Sequence, residues 1–139
     1  MGDNPKSPIA QAVAVPMGAY TLYFISGTPA GPADPSAPKG SPKRMGNTPT
    51  QTRSSLERLG KTLTKLGLGY GDVVQAHVFM AGDPAKGGDI DFAGMNQEWS
   101  KKFGAPDQPN KPARSTVKVA GLAGPGALVE IEFVAVKKN

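Results

Sequence analysis

Residues 112–136 read PARSTVKVAGLAGPGALVEIEFVAV, and polar and apolar residues alternate along both halves of this stretch. Successive side chains of a β-strand point to opposite faces of a sheet, so a period of two residues predicts strands. We therefore expect two strands, Ser115–Ala120 and Leu128–Val136, joined by a Gly/Pro-rich turn. One face of the second strand is expected to carry four apolar side chains: Val129, Ile131, Phe133 and Ala135.

Two charged residues of this stretch, Arg114 and Glu130, are candidates for chemistry. If both strands lie in one sheet, the guanidinium of Arg114 can face the carboxylate of Glu130. Such a pair, partly shielded from water, can hold small anions and move protons. A structural ion pair explains the same pattern, as does a solvated face that carries Glu130 and Glu132. Spacing alone favours these structural interpretations.

Length and composition limit the class of protein. The 139 residues fit one domain, expected to span residues 1–139, and can bury a core. The absence of cysteine excludes disulfides, thiolate metal sites and a cysteine nucleophile. The net charge of +5 comes from dispersed Lys and Arg with few aromatic residues, so no nucleic-acid partner is expected.

No apolar run in the sequence reaches the roughly 20 residues that span a membrane, so no membrane partner is expected. The start of the chain also lacks the apolar core of a signal peptide. These features predict a cytoplasmic protein, or a periplasmic one if a signal peptide has been removed.

The rest of the chain predicts three more strands and two helices. The strands are Gln11–Val15, Tyr20–Ser26 and Asp72–Met80. The first helix has Thr48 as its N-cap and Gln51 as capping-box partner, and it stops at Gly67. The second helix runs from Asp91 to Gly104. The order β-β-α-β-α-β-β predicts an α+β fold in which two helices cover one face of a mixed sheet and a partner subunit covers the other.

The sequence contains few residues that match familiar catalytic patterns. His77 is the only histidine, and a lone histidine in a strand is more often a packed or surface residue than a catalyst. Ser26 and Thr116 have no base nearby in sequence, so spacing gives no support for nucleophilic catalysis. No metal site or cofactor is expected.

The motif PARS at 112–115, followed by V-x-V-A and then V-E-I-E-x-V-A-V at 129–136, resembles the signature of the reactive-intermediate deaminase family (RidA/YjgF-like, also labelled endoribonuclease L-PSP). Other landmarks of that family follow in order from Ser7 to Lys137. The resemblance implies a chorismate-mutase-like sandwich, a homotrimer with active sites between subunits, and no cofactor.

The resemblance also implies roles for three residues of the signature. Arg114 matches the arginine that grips the carboxylate of the substrate, for which a planar guanidinium suits better than lysine. Glu130 matches the acid that orients or activates the attacking water. Thr116 stands where many members have cysteine, and its backbone carbonyl is expected to hold that water.

Further site residues lie outside the signature. Asn96, in FAGMNQEW, and Ser26, in FISG, match residues at the pocket. Two positions depart from the family: Ile9 replaces a pocket tyrosine, and Gln75 replaces a frequent lysine. These departures bear on which substrate is used, because Arg114 and Glu130 remain.

The expected activity is hydrolysis of reactive 2-imino or 2-enamino acids to 2-oxo acids and ammonia. The small carboxylate-bearing imine is then the only partner besides other copies of the chain. A non-catalytic trimer that binds small carboxylates on the same fold is the alternative, because fold does not determine function. For RNA cleavage, which some family labels suggest, the sequence offers no motif.

Overall fold

The structure is a computed structural model and describes residues 5–139. One sheet contains five strands: β1 (Ala12–Met17), β2 (Tyr20–Pro29), β3 (Val73–Ala81), β4 (Ala113–Val119) and β5 (Val129–Lys138). Their order across the sheet is β1-β2-β5-β3-β4. All neighbours are antiparallel except β3 and β4, which run parallel. This confirms the predicted mixed sheet.

Three helices accompany the sheet: α1 (Pro42–Met45), α2 (Thr48–Lys65) and α3 (Phe92–Trp99). Single 3-10 turns occur at Tyr70–Asp72 and Pro84–Lys86. The two longer helices pack on one face of the sheet and against each other, which confirms the predicted α+β architecture. Among residues 5–139, no helix is both long and apolar enough to cross a membrane.

The ends of the helices differ in part from the predicted ones. Asn47, not Thr48, is the N-cap of α2, because its side chain accepts a hydrogen bond from the backbone N–H of Thr50. Asp91 caps α3 as predicted, through the N–H of Gly94. The helix α3 ends at Trp99, several residues before Gly104, whose positive φ of 66° belongs to the following turn.

The core lies between α2, α3 and the sheet, and β5 supplies its centre. The four apolar side chains predicted for one face of this strand are 0–2% exposed: Val129, Ile131, Phe133 and Ala135. Leucines of α2 and Met95 of α3 pack against them. Apolar residues recur every two positions on the strand and every three to four on the helices, so each element has one apolar face, and these faces pack together.

The two strands of the 112–136 stretch lie in one sheet but are not neighbours. Strand β3 lies between them and pairs with β4 on one side and β5 on the other. Arg114 is in register with Ala76, which faces the helices, whereas Glu130 is in register with Phe79 on the opposite face. The expected contact between Arg114 and Glu130 is therefore absent within the described chain.

The second face of the sheet, which we call the open face, carries no helix. Its side chains come from all five strands, as the strand registers show. Exposed apolar side chains lie on it: Val13, Val15, Met17, Tyr20, Phe24 and Val117. Leu128 precedes β5 and is buried within the chain rather than exposed on the open face.

Gln51 joins the start of α2 to the segment before β5. Its amide nitrogen donates hydrogen bonds to the carbonyl oxygens of Gly46 and Gly126, at 2.9 and 3.0 Å. Its amide oxygen accepts one from the N–H of Leu128 at 2.8 Å. The side chain is 0% exposed. Gln51 is thus not a capping-box partner but a buried link between two loops.

We expect Gln51→Met to lower the free energy of unfolding by about 2–4 kcal/mol, because it keeps the side-chain volume but removes three hydrogen bonds to the backbone, each of which contributes about 0.5–1.5 kcal/mol. Urea denaturation followed by circular dichroism measures this change. Gln97→Met, on the exposed side of α3, is the control and should change stability by less than about 0.5 kcal/mol. Equal effects of the two variants would contradict the role of Gln51.

Candidate functional site

Arg114 lies on β4 and reaches α3. Its guanidinium carbon is 4.8 Å from the ring centroid of Trp99 and 5.8 Å from that of Phe92. Its Nη1 is 3.8 Å from the Sδ of Met95. These three residues are spaced by three and four positions, so they form one stripe along α3 that faces the guanidinium.

No carboxylate neutralises Arg114 within residues 5–139, where the ion pairs involve other residues. Half-burial of the guanidinium lowers the pKa of Arg114 from its usual value, because desolvation disfavours the charged form. The side chain remains cationic, since even a lowered arginine pKa stays far above neutral pH. A half-buried cation that lacks an internal acid is suited to bind an external anion.

Thr116 and Asn96 lie near Arg114. Thr116 follows two residues later on β4 and therefore shares its face of the sheet. Its Oγ1 is buried and has no hydrogen-bond partner among the described residues. Asn96 is half-buried on α3, directly after Met95. The structure thus groups three of the predicted site residues at the β4–α3 edge.

Glu130 lies elsewhere, on β5, in register with Pro29 of β2 and Phe79 of β3. Its carboxylate passes close to Gly27, where a Cβ atom would lie 2.9 Å from Oε2. Real Cβ contacts are not this short, so the missing side chain of Gly27 leaves room for the carboxylate. Register places the Glu130 side chain on the open face.

Ser26 and Ile9 belong with Glu130 rather than with Arg114. The Ser26 hydroxyl donates a hydrogen bond to the carbonyl of Ala10 at 2.7 Å, and its N–H donates to Gln11. These bonds hold Ala10 and Gln11 against β2. Ile9, which is 66% exposed, lines a cleft of about 440 Å³ together with Ser26 and Gly27.

The opposite wall of this cleft is basic. It is formed by α2, which contributes Arg58, Lys61, Thr62 and Lys65. Arg58 donates a hydrogen bond to the carbonyl of Pro29 and so ties α2 to the end of β2. No carboxylate belongs to the described lining of the cleft. The basic side chains of this wall attract an anionic ligand, and the Glu130 carboxylate beside Gly27 opposes that attraction at the other wall.

His77 is a surface residue of the open face. Its Nδ1 is 2.9 Å from Oε1 of Glu132, directly opposite on β5. Both side chains are partly exposed. Gln75 lies two residues earlier on the same face and lines a shallow cavity with this pair. The structural interpretation of His77 from the sequence agrees with this position.

The predicted site residues therefore form two groups. Arg114, Thr116 and Asn96 lie at the β4–α3 edge, and the guanidinium points to the helix side. Glu130, Ser26 and Ile9 lie around the β2–β5 end. The first group offers a half-buried cation without a carboxylate partner among the described residues, and the second a carboxylate with a cleft beside it. Within residues 5–139, no cluster of three His, Asp or Glu side chains is placed to hold a metal ion.

Sequence reasoning missed the aromatic stripe beneath Arg114 and the contact of Gly27 with Glu130. The helical spacing of Phe92 and Trp99 predicts a buried stripe, and nothing in that spacing shows that a cation from a distant strand lies over it. Gly27 had a visible signal, since a glycine in the β-branched and aromatic run 20–29 often marks close approach of another group.

Residues 5–137 match the family model described as Endoribonuclease L-PSP. A RutC family protein from Haemophilus influenzae is 40% identical over 89 residues, which are 63% of this chain and 62% of that protein. The match thus spans less than two thirds of this curated relative.

Solved structures are similar over more of their length. A protein from Thermotoga maritima, described as a candidate endoribonuclease, is 32% identical with a TM-score of 0.70, over 97% of this chain and 91% of its own. Escherichia coli TdcF, solved with bound serine, is 28% identical with a TM-score of 0.67, over 95% of this chain and 90% of its own.

Proposed function

Because this chain belongs to the endoribonuclease L-PSP family, also called RidA/YjgF, we propose that it is a cofactor-free enamine/imine deaminase. The substrates are small 2-imino or 2-enamino acids, and the products are 2-oxo acids and ammonia. The observation that carries the proposal is the half-buried, carboxylate-free guanidinium of Arg114. It lies in the motif that gives the family resemblance.

Arg114 binds the substrate carboxylate in this proposal. A guanidinium presents paired N–H groups that match the two oxygens of a carboxylate, and desolvation strengthens the interaction. The solved relative TdcF holds serine, which also carries a carboxylate beside its amino-bearing carbon. The anchored carboxylate fixes the adjacent C=N carbon in one position, which lowers the entropic part of the barrier.

Glu130 orients the water and takes its proton. The water oxygen adds to the imine carbon, and the proton that it loses reaches the nitrogen through the carboxylate. The hydroxyl proton of this adduct then passes through the same carboxylate to the amino nitrogen as the carbon–nitrogen bond breaks, so that ammonia leaves and the carbonyl of the 2-oxo acid forms. The hydroxyl or carbonyl of Thr116 and the Ser26 region complete the polar surroundings.

The two groups of site residues belong to different subunits in this proposal, because Arg114 and Glu130 lie on opposite faces of the sheet in one chain. A homotrimer in which open faces turn inward supplies the complement. The exposed apolar residues of that face, such as Phe24 and Val13, support such an assembly, since they form pairs across neighbouring strands.

Ile9 and Gln75 bear on substrate choice rather than on the reaction. Isoleucine keeps apolar bulk at the cleft but offers no hydroxyl, which favours aliphatic over polar imino acids. A non-catalytic carboxylate-binding trimer uses the same Arg114 site and differs only in lacking turnover. RNA cleavage has less support, because the single histidine pairs with Glu132 on the open face.

Arg114→Lys should lower kcat/KM for freshly generated imino acids by about 10- to 100-fold, since a charge-assisted hydrogen bond contributes about 1.5–3 kcal/mol and lysine lacks the bidentate geometry. Competition with semicarbazide measures turnover. Circular dichroism controls for folding. Wild-type turnover in the variant would remove Arg114 from the site, and RNA degradation abolished by Arg114→Ala would support a nuclease instead.

Glu130→Gln should lower kcat by about 100-fold or more, the usual contribution of a general base, while affinity for a simple carboxylate changes less than about twofold. Arg114, which binds the carboxylate, is unchanged in this variant, whereas the amide at position 130 is a weaker partner for the water. Glu132→Gln is the matched control on the same strand and face, and it should retain turnover. Equal loss of affinity and rate in Glu130→Gln would show that Glu130 has a structural role only.

Light scattering at low micromolar concentration should give the mass of three 14.4 kDa chains. Phe24→Glu should reduce that mass, because it buries a charge within the apolar open face. Gln97→Glu, on the exposed side of α3, is the control and should leave the mass unchanged. A wild-type monomer would refute both the trimer and the shared site.

A further inference from the structure

The aromatic stripe beneath Arg114 suggests how the carboxylate-binding cation is held. A guanidinium over a ring face is attracted by the negative π-surface, and tryptophan is the most favourable ring. At 4.8 Å from the centroid, Trp99 is nearer to Arg114 than Phe92 is. A guanidinium that stacks on an aromatic ring uses its flat face, whereas a carboxylate binds to its N–H edge. Both interactions can therefore exist together.

Trp99 itself is fixed by the core. It is 8% exposed, and its ring stacks on Phe103 at a centroid distance of 4.4 Å with an interplanar angle of 29°. Phe133 of β5 meets it edge-on at 6.4 Å. Phe92, in contrast, is 46% exposed and contacts Arg114 from the first turn of α3. Of the two rings that contact Arg114, Trp99 is the one that belongs to the packed interior.

Apart from the two rings, the guanidinium has little support among residues 5–139. No ion pair involves Arg114 among the described residues, and its contact with the Met95 sulfur is a weak one. A long side chain with a charged end ordinarily loses considerable rotamer entropy when a ligand orders it. A guanidinium already held on an indole face loses less of it, so the anion binds more tightly.

We propose that Trp99 is a positioning residue for Arg114, holding the guanidinium so that its N–H edge is available to the substrate carboxylate. This inference rests on the proposed function, because it takes Arg114 to be the carboxylate anchor. Trp99 acts through Arg114 and does not touch the reacting atoms. Its loss should therefore weaken carboxylate affinity and KM more than kcat.

The chain offers a direct readout, because Trp99 is its single tryptophan. Titration with 2-hydroxybutanoate, a transparent small carboxylate, should give a saturable change in the fluorescence of the wild-type protein. The charge of the bound anion alters the field at the indole through Arg114. Arg114→Ala should abolish the change. A wild-type protein with no saturable change, and no binding by calorimetry, would overturn the inference.

Trp99→Leu and Trp99→Phe test the role of the ring. Calorimetry should show that Trp99→Leu raises the Kd for 2-hydroxybutanoate by about 3- to 10-fold, and Trp99→Phe by about 2- to 3-fold, in line with the weaker cation–π attraction of a smaller ring. Trp99→Phe keeps an aromatic side chain in the core and remains informative if Trp99→Leu does not fold. In an Arg114→Lys background, Trp99→Phe should change the Kd by less than about 1.5-fold.

Tyr70→Phe is the matched control, because Tyr70 packs edge-on against Phe103 in the same cluster without contacting Arg114. It should leave the Kd unchanged even if stability falls. Equal effects of Tyr70→Phe and Trp99→Phe would show that Trp99 is only a core residue. Carboxylate binding that depends on Trp99 without any imine turnover would support the positioning role and refute the deaminase proposal, so the two can be told apart.

Discussion

The pairing of β3 with both strands of the 112–136 stretch determines the rest of the structure. It requires one parallel and one antiparallel partner for the same strand, and this makes the sheet mixed. Through the register of these pairs, alternate residues of β4 and β5 are assigned to opposite faces. Arg114 thereby meets α3, and Glu130 meets β2. A slip of one residue in either ladder would exchange those faces and bury charge in the core.

Much of this fold is readable from residue patterns. The alternation in β5 correctly identifies its buried side, and Asp91 caps α3 because its carboxylate accepts the N–H of Gly94. The order of the strands, in contrast, cannot be predicted from residue patterns. Both halves of 112–136 alternate in the same way whether they pair with each other or with β3, so local pattern cannot distinguish a hairpin from a crossover. The hydrogen bonds of Gln51 with Gly126 and Leu128 cannot be predicted from local sequence either, because these partners are 75 and 77 residues away.

The site was also readable only in part. The PARS motif identifies Arg114, and its neighbours in sequence predict a strand. The surroundings of the guanidinium, however, are made by side chains of α3. An arginine without an acid partner is costly to desolvate, and aromatic faces and a thioether offset part of that cost without neutralising it. Arg114 thus keeps its positive charge in a partly desolvated site. The sequence identifies Arg114, but the electrostatic state of its side chain depends on tertiary packing.

The strand order has a further consequence for aggregation. β1 and β4 end the sheet, so each exposes a row of backbone groups on which a foreign strand could add. β1 carries Pro16, which has no N–H to donate, so an incoming strand would find an interrupted ladder. β4 carries the charge of Lys118 close to its end. These residues discourage fibre-like growth along the edges and leave the faces as the surfaces through which copies can meet.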